Sequence, residues 1–68
     1  MAREFKNLQG EKYHRIREKM KKEGFDVVVT YNNTDNLFYF IDRFFKSYNK
    51  AEKFFNSLNC DKKDLKAF

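Results

Sequence analysis

The 68-residue chain has no proline, no tryptophan, two glycines, one cysteine and one histidine. A lone Cys60 excludes an intrachain disulfide, and with it the stapled scaffolds common among small secreted domains. One His and one Cys fall short of the four N/S ligands of a structural zinc site. Long apolar runs are also missing. The longest is Leu37-Phe38-Tyr39-Phe40-Ile41, and the mean hydropathy is −0.92. A membrane-spanning helix needs about 20 such residues, so no membrane partner is expected. The start, Met-Ala-Arg-Glu-Phe-Lys, has no apolar core behind its charge. No signal peptide is therefore expected. Cys60 stands too far from the C-terminus for a prenylation box. The expected location is the cytoplasm. No catalytic, metal or cofactor motif is present.

What is abundant is aromatic and basic. Nine Phe and four Tyr make up 19% of the chain, and 15 Lys+Arg outnumber 10 Asp+Glu for a net charge of +5. Phe, Tyr, Lys and Asn have A/T-rich codons, so genome composition contributes to this bias. The basic balance points to a polyanionic partner. A chain of this length buries only about 60% of its unfolded surface. Without disulfide or metal, oligomerisation is the remaining route to a larger core, and a homodimer is expected. The charge is segregated. Residues 1–24 carry net +4, residues 25–42 net −3 and residues 43–68 net +4.

Periodicity predicts one domain over 1–68 of the α+β class, with 1–7 and 60–68 frayed. A first helix spans about 8–23, with Phe5, Gln9, Tyr13, Ile16 and Met20 gathered on one side at 100° per residue. Lys21, Lys22 and Gly24 mark its C-terminal stop. Phe25 to Tyr31, with three successive valines, reads as a strand. Asn32 to Asn36 is a cluster of turn formers. The segment after the turn has two readings. A hairpin return over Leu37–Ile41 pairs Tyr31 with Asn36, Val29 with Phe38 and Val27 with Phe40. The alternative is a single helix over about 36–59, on the heptad stripe Leu37, Ile41, Phe44, Tyr48, Ala51, Phe55 and Leu58. The hairpin is preferred, because a lone strand leaves its backbone groups unpaired. Under both readings 43–59 is helical, with Asp42 as a cap and Asn49 with Glu52 as an internal capping box. The expected order is α-β-β-α; the alternative is α-β-α with one long C-terminal helix.

The candidate binding surface lies on the first helix. Lys12, Arg15, Lys19 and Lys22 recur at i, i+3, i+7 and i+10 and form a ridge beside the apolar stripe. His14, Arg17 and Lys21 form a second ridge, and within 12–22 only Glu18 interrupts the basic run. Cations so spaced can track phosphates and release counterions. The plain alternative is a solvated helix face. A second surface gathers Val28, Leu37, Tyr39 and Ile41 on the outer face of the hairpin. Bases stack on exposed rings such as Tyr39. A dimer interface suits the purely apolar members of the set better.

Two RNA-binding modules touch this sequence in part. Gly24-Phe25 and the valines approach the RRM signature, but Asp26 and Thr30 stand where small and aromatic residues belong. The α-β-β-α order, with Asn49-Lys50-Ala51-Glu52-Lys53 opening the last helix, resembles a double-stranded-RNA-binding domain without its third strand and second Lys-rich loop. As for chemistry, His14 beside Tyr13 and Lys21 is the nearest approach to a general acid/base. Ser47, Ser57 and Cys60 have no activating partner in sequence, and no enzyme is expected.

Short, Lys/Asn/Phe/Tyr-rich, basic, and without proline or disulfide, the chain resembles the small early proteins of T-even-type bacteriophages. Within that group it is similar in composition to the TifA-type inhibitors of host RNA-cleaving toxins. That resemblance implies counter-defence in the host cytoplasm, by binding RNA, a host protein, or both. The expectation is thus a non-catalytic, RNA-associated binding protein. The alternative is a protein–protein inhibitor acting without nucleic acid.

Overall fold

The computed structural model describes residues 2–33 and 36–68, and the side chains of these other than 33 and 36–38. Six elements follow in the order β1 (Ala2–Lys6), α1 (Gly10–Lys22), β2 (Val27–Asn33), β3 (Asn36–Phe45), α2 (Tyr48–Ser57) and β4 (Lys63–Ala67). The α+β class holds, but the order is β-α-β-β-α-β rather than α-β-β-α. The long-helix alternative is overturned with it.

The strands form one sheet in the order β1-β3-β2-β4, with every neighbouring pair antiparallel. β1 and β2 are therefore parallel to each other, with β3 inserted between them. β3 and β4 are parallel, with β2 between them. Each helix thus bridges a split β-α-β unit. Both bridges step across the sheet in the same lateral direction, but their strands run oppositely. Crossovers of the usual right hand must then pass over opposite faces. The packing agrees. Met20 of α1 is buried with Phe25, Val28 and Phe44 on one face, and Ala51 of α2 with Val27, Val29 and Phe45 on the other.

This three-layer plan explains the run Val27-Val28-Val29. A strand covered on both faces needs consecutive apolar residues, not alternation. All three valines are buried, as are Phe44 and Phe45 on β3. The plan also corrects the expected Val28, Leu37, Tyr39 and Ile41 surface. Val28 faces α1 and Ile41 belongs to the opposite side, and both are buried within the chain. Tyr39 is half-buried, and the Leu37 side chain lies outside the described residues. Val28 and Ile41 are therefore not available to a dimer interface.

Within α1, Tyr13, Ile16 and Met20 turn inward as expected. The helix ends in a Schellman arrangement: Phe25 N–H donates to the Met20 carbonyl at 2.9 Å and Gly24 N–H to the Lys21 carbonyl at 3.1 Å. Gly24 supplies the left-handed turn at φ 91°. Met20 and Phe25, thus tied, enter the core together.

The hairpin forms, with a different register. Tyr31 pairs with Ile41, Val29 with Arg43 and Val27 with Phe45, each five residues further along β3 than expected. The register shifts between Asn32, opposite Phe40, and Asn33, opposite Asn36. Because the displacement is odd, β3 presents the other set of side chains to each face. Phe40 accordingly shares a face with Thr30 and Val28, not with Val27. Residues 43–45 are strand, so α2 starts later than expected. Its cap is Ser47, whose Oγ accepts from Lys50 N–H at 3.4 Å. Asp42 caps nothing and is buried within β3. The segments expected to fray are both edge strands: β1 pairs with β3 and β4 with β2.

Candidate functional site

The outer side of α1 carries most of the sequence-predicted residues. Its inner side is fixed by Met20, Ile16 and Tyr13, so the opposite side must face solvent. Lys12, Arg15, Lys19 and Lys22 are all exposed. At 100° per residue they fall within an arc of roughly 80° on one flank. None of the four takes part in an ion pair among the described residues, where the pairs are Arg3–Glu23, Arg43–Glu4 and Lys66–Asp64. Lys21 and His14 are exposed on the other flank, with Glu11 and Glu18 between the two. Arg17 stands apart from the set. It is half-buried, its guanidinium 4.7 Å from the Phe68 ring centre and 6.0 Å from that of Tyr13. Its charge is held by aromatic faces instead of being offered outward.

Several cations elsewhere have structural partners, whereas Lys6 and Lys62 are exposed like the α1 set. Lys63 Nζ donates to the carbonyls of Phe55 at 3.0 Å and Leu58 at 2.9 Å, closing the end of α2. Arg43 lies 4.7 Å from the Phe54 ring centre and pairs with its cross-strand neighbour Glu4 at 3.5 Å. The Tyr31 hydroxyl donates to the same Glu4 oxygen at 2.9 Å. Burial, helped by that carboxylate, pushes the Tyr31 phenol up to about 12. Lys50 and Lys53 on α2 are exposed, but on the far face of the sheet from α1.

Sequence reasoning missed a cleft of about 390 Å³ beneath the first turn of α1. Leu8, Tyr13 and Phe40 supply apolar and aromatic walls, and Thr30, Asp42, Asp64 and Lys66 supply polar groups. Phe40 is 45% exposed, whereas Asp42 is 3% exposed. The Thr30 hydroxyl donates to Asp42 Oδ1. The one sequence signal for this site is a carboxylate set inside the run from Leu37 to Phe45, at the position where a helix cap is expected.

Burial pushes the Asp42 carboxyl above the usual carboxylate range, and the Thr30 hydrogen bond partly offsets this. The folded state then binds a proton more readily than the unfolded chain, so this group's contribution to stability falls as pH rises through the raised value. Asp42→Asn should therefore be more stable than the parent at neutral pH. The gain should shrink as pH falls and level off well below about 4, where the parent carboxyl is protonated in both states. Denaturant midpoints measured across pH check this. A gain that grows toward acid would show the carboxylate to be stabilising.

The remaining candidates for chemistry are dispersed. His14 is exposed on α1, Ser57 Oγ donates to the Phe54 carbonyl at 2.7 Å, and Cys60 Sγ lies 3.6 Å from the Lys62 carbonyl oxygen. No helix among the described residues is long and apolar enough to cross a membrane. No protein-family model matches the chain, and no curated protein or solved structure matches it.

Proposed function

We propose that this chain is a non-catalytic, RNA-associated binding protein of the cytoplasm that holds a polyanion along the outer flank of α1. The observation that carries the reading is the exposed set Lys12, Arg15, Lys19 and Lys22. These cations have no ion-pair partner among the described residues, and their helix is anchored by the buried Met20 and its Schellman turn. Cations on an ordered element meet phosphates without a large ordering cost. Lys21 adds to the field from the other flank. Arg17, engaged by Phe68 and Tyr13, contributes less than its charge suggests. The compositional likeness to phage early proteins extends the reading to an inhibitor of a host nuclease or toxin. With both sheet faces covered by helices, a dimer is not needed to complete the core.

Reversing Lys12 and Lys19 together to Glu should weaken RNA binding strongly and flatten the log–log salt slope by about 0.7 per lost contact on single strands. Thermal stability should hardly change, since exposed charges contribute little to folding. Glu18→Lys should tighten binding. Affinity that is the same in the reversed, enhanced and parent proteins would remove α1 as the contact. Retention of a host protein after RNase treatment of a pull-down would then favour the protein–protein inhibitor.

A further inference from the structure

The cleft under α1 has a chemistry that phosphate binding leaves unused. Its polar floor is Asp42, 3% exposed and partnered among the described side chains by the Thr30 hydroxyl alone. A carboxylate can accept about four hydrogen bonds, and burying one that is poorly satisfied is costly. The fold does not require an acid here, because the neighbouring position on the same face of β3, Phe44, is apolar. Tyr13 and the exposed Phe40 add two π-faces to the walls. At the rim Asp64 pairs loosely with Lys66, 3.9 Å away. Flat walls around an acceptor suit a planar ligand whose edge donates hydrogen bonds.

We propose that this cleft takes a guanine base of single-stranded RNA. Guanine alone among the four bases presents two adjacent donors, N1–H and N2–H₂, on its Watson–Crick edge, and these match a carboxylate. Adenine and cytosine place one amino donor beside a ring-nitrogen acceptor, which would face a lone pair. Uracil places a single donor between two carbonyls. Unstacked bases in single strands are read on this edge while stacked on aromatic rings. A cationic side chain of a protein partner would also match Asp42. The net charge of +5 and the α1 flank repel such a partner and attract a polyanion. The choice of a nucleobase therefore rests on the polyanion reading of α1.

Nucleosides test the cleft without phosphates. In NMR titrations, guanosine should shift the resonances of Tyr13, Thr30 and Phe40, and adenosine, cytidine and uridine should bind roughly tenfold more weakly. Asp42→Asn puts an acceptor and a donor where two acceptors stood. It should move the preference from guanosine toward adenosine and cytidine, whose Watson–Crick edges set one donor beside one acceptor as an amide does. A purely structural role for Asp42 would not produce that exchange. Phe40→Ala, at an exposed position, should keep the fold and lose roughly tenfold in guanosine affinity. Guanosine that moves no cleft resonance, or a preference unchanged in Asp42→Asn, overturns the proposal. Oligouridylate binding, and its loss on reversing Lys12 and Lys19, reports on the α1 flank separately. If oligouridylate binds and guanosine does not, the cleft proposal fails and the flank stands. If guanosine binds and oligouridylate does not, the flank fails and the base site stands.

Discussion

Phe44→Ala should remove most or all of the stability of this domain. Phe44 is fully buried on the central strand β3, between Val28 of β2 and Met20 of α1. Its ring meets Phe5 of β1 edge-to-face with centres 5.9 Å apart, and Phe68 likewise at 6.1 Å. One side chain thus joins α1, both neighbouring strands and the C-terminal residue. Truncating a buried Phe to Ala costs about 3–5 kcal/mol. A domain of this length has roughly 3–10 kcal/mol in total, on the usual per-residue scale. The loss is therefore comparable to the whole. Urea denaturation followed by circular dichroism should find Phe44→Ala largely unfolded in buffer. Phe40→Ala, on the same strand and the same face but 45% exposed, should stay within about 0.5 kcal/mol of the parent. Equal stability of the two variants would mean that Phe44 is not the hub of this core.

The difference between those two phenylalanines could not be read from the chain, and the reason is register. The sequence signals for α1 were strong: an apolar stripe, cations at the end and Gly24 beyond it. Helix and stop both formed where expected. The valine run also announced a strand, but three successive valines do not say whether one face or two will be covered. That answer depended on β1 and β4, whose sequences Ala-Arg-Glu-Phe-Lys and Lys-Asp-Leu-Lys-Ala carry few apolar residues and no clear alternation. Edge strands rich in charge resist unwanted pairing, and the same charge hides them from pattern reading. Without them the sheet had two strands, one bare face and a reason to dimerise. With them it has four strands and a helix on each face.

The basic flank was legible because exposed helical charge needs only the 3.6-residue period and the position of the apolar stripe. Arg17 broke the pattern because Phe68, distant in sequence, supplies a ring 4.7 Å from its guanidinium. The cleft was not legible for the same kind of reason. Tyr13 comes from α1, Thr30 from β2, Asp42 and Phe40 from β3 and Asp64 from β4. Only the completed sheet order brings them to one place, and only the five-residue displacement of β3 turns Asp42 and Phe40 toward α1.

Val28→Asp should unfold the chain instead of dissociating a dimer. Were Val28 on a bare face joined to a second copy, a charge there would yield a folded monomer, and the parent's denaturation midpoint would rise with protein concentration. Val28 is instead 2% exposed beneath α1, against Met20 and Phe44. An ionised carboxylate at that depth has no cation within the cluster to pair with, and an unpaired buried charge costs several kcal/mol. Val29→Asp should be as damaging from the other side, since Val29 is buried against α2 with Val27, Phe45 and Ala51. Neither effect should depend on concentration. The two helices are thus each held by one face of β2. Losing the Val28 face frees α1, whose exposed flank then has no fixed geometry, so RNA binding should fall with the fold. A folded, monomeric Val28→Asp protein would mean that α1 does not cover this face in solution. The placement of the basic flank and of the Asp42 cleft would then have to be withdrawn together, because both depend on α1 lying across β2 and β3.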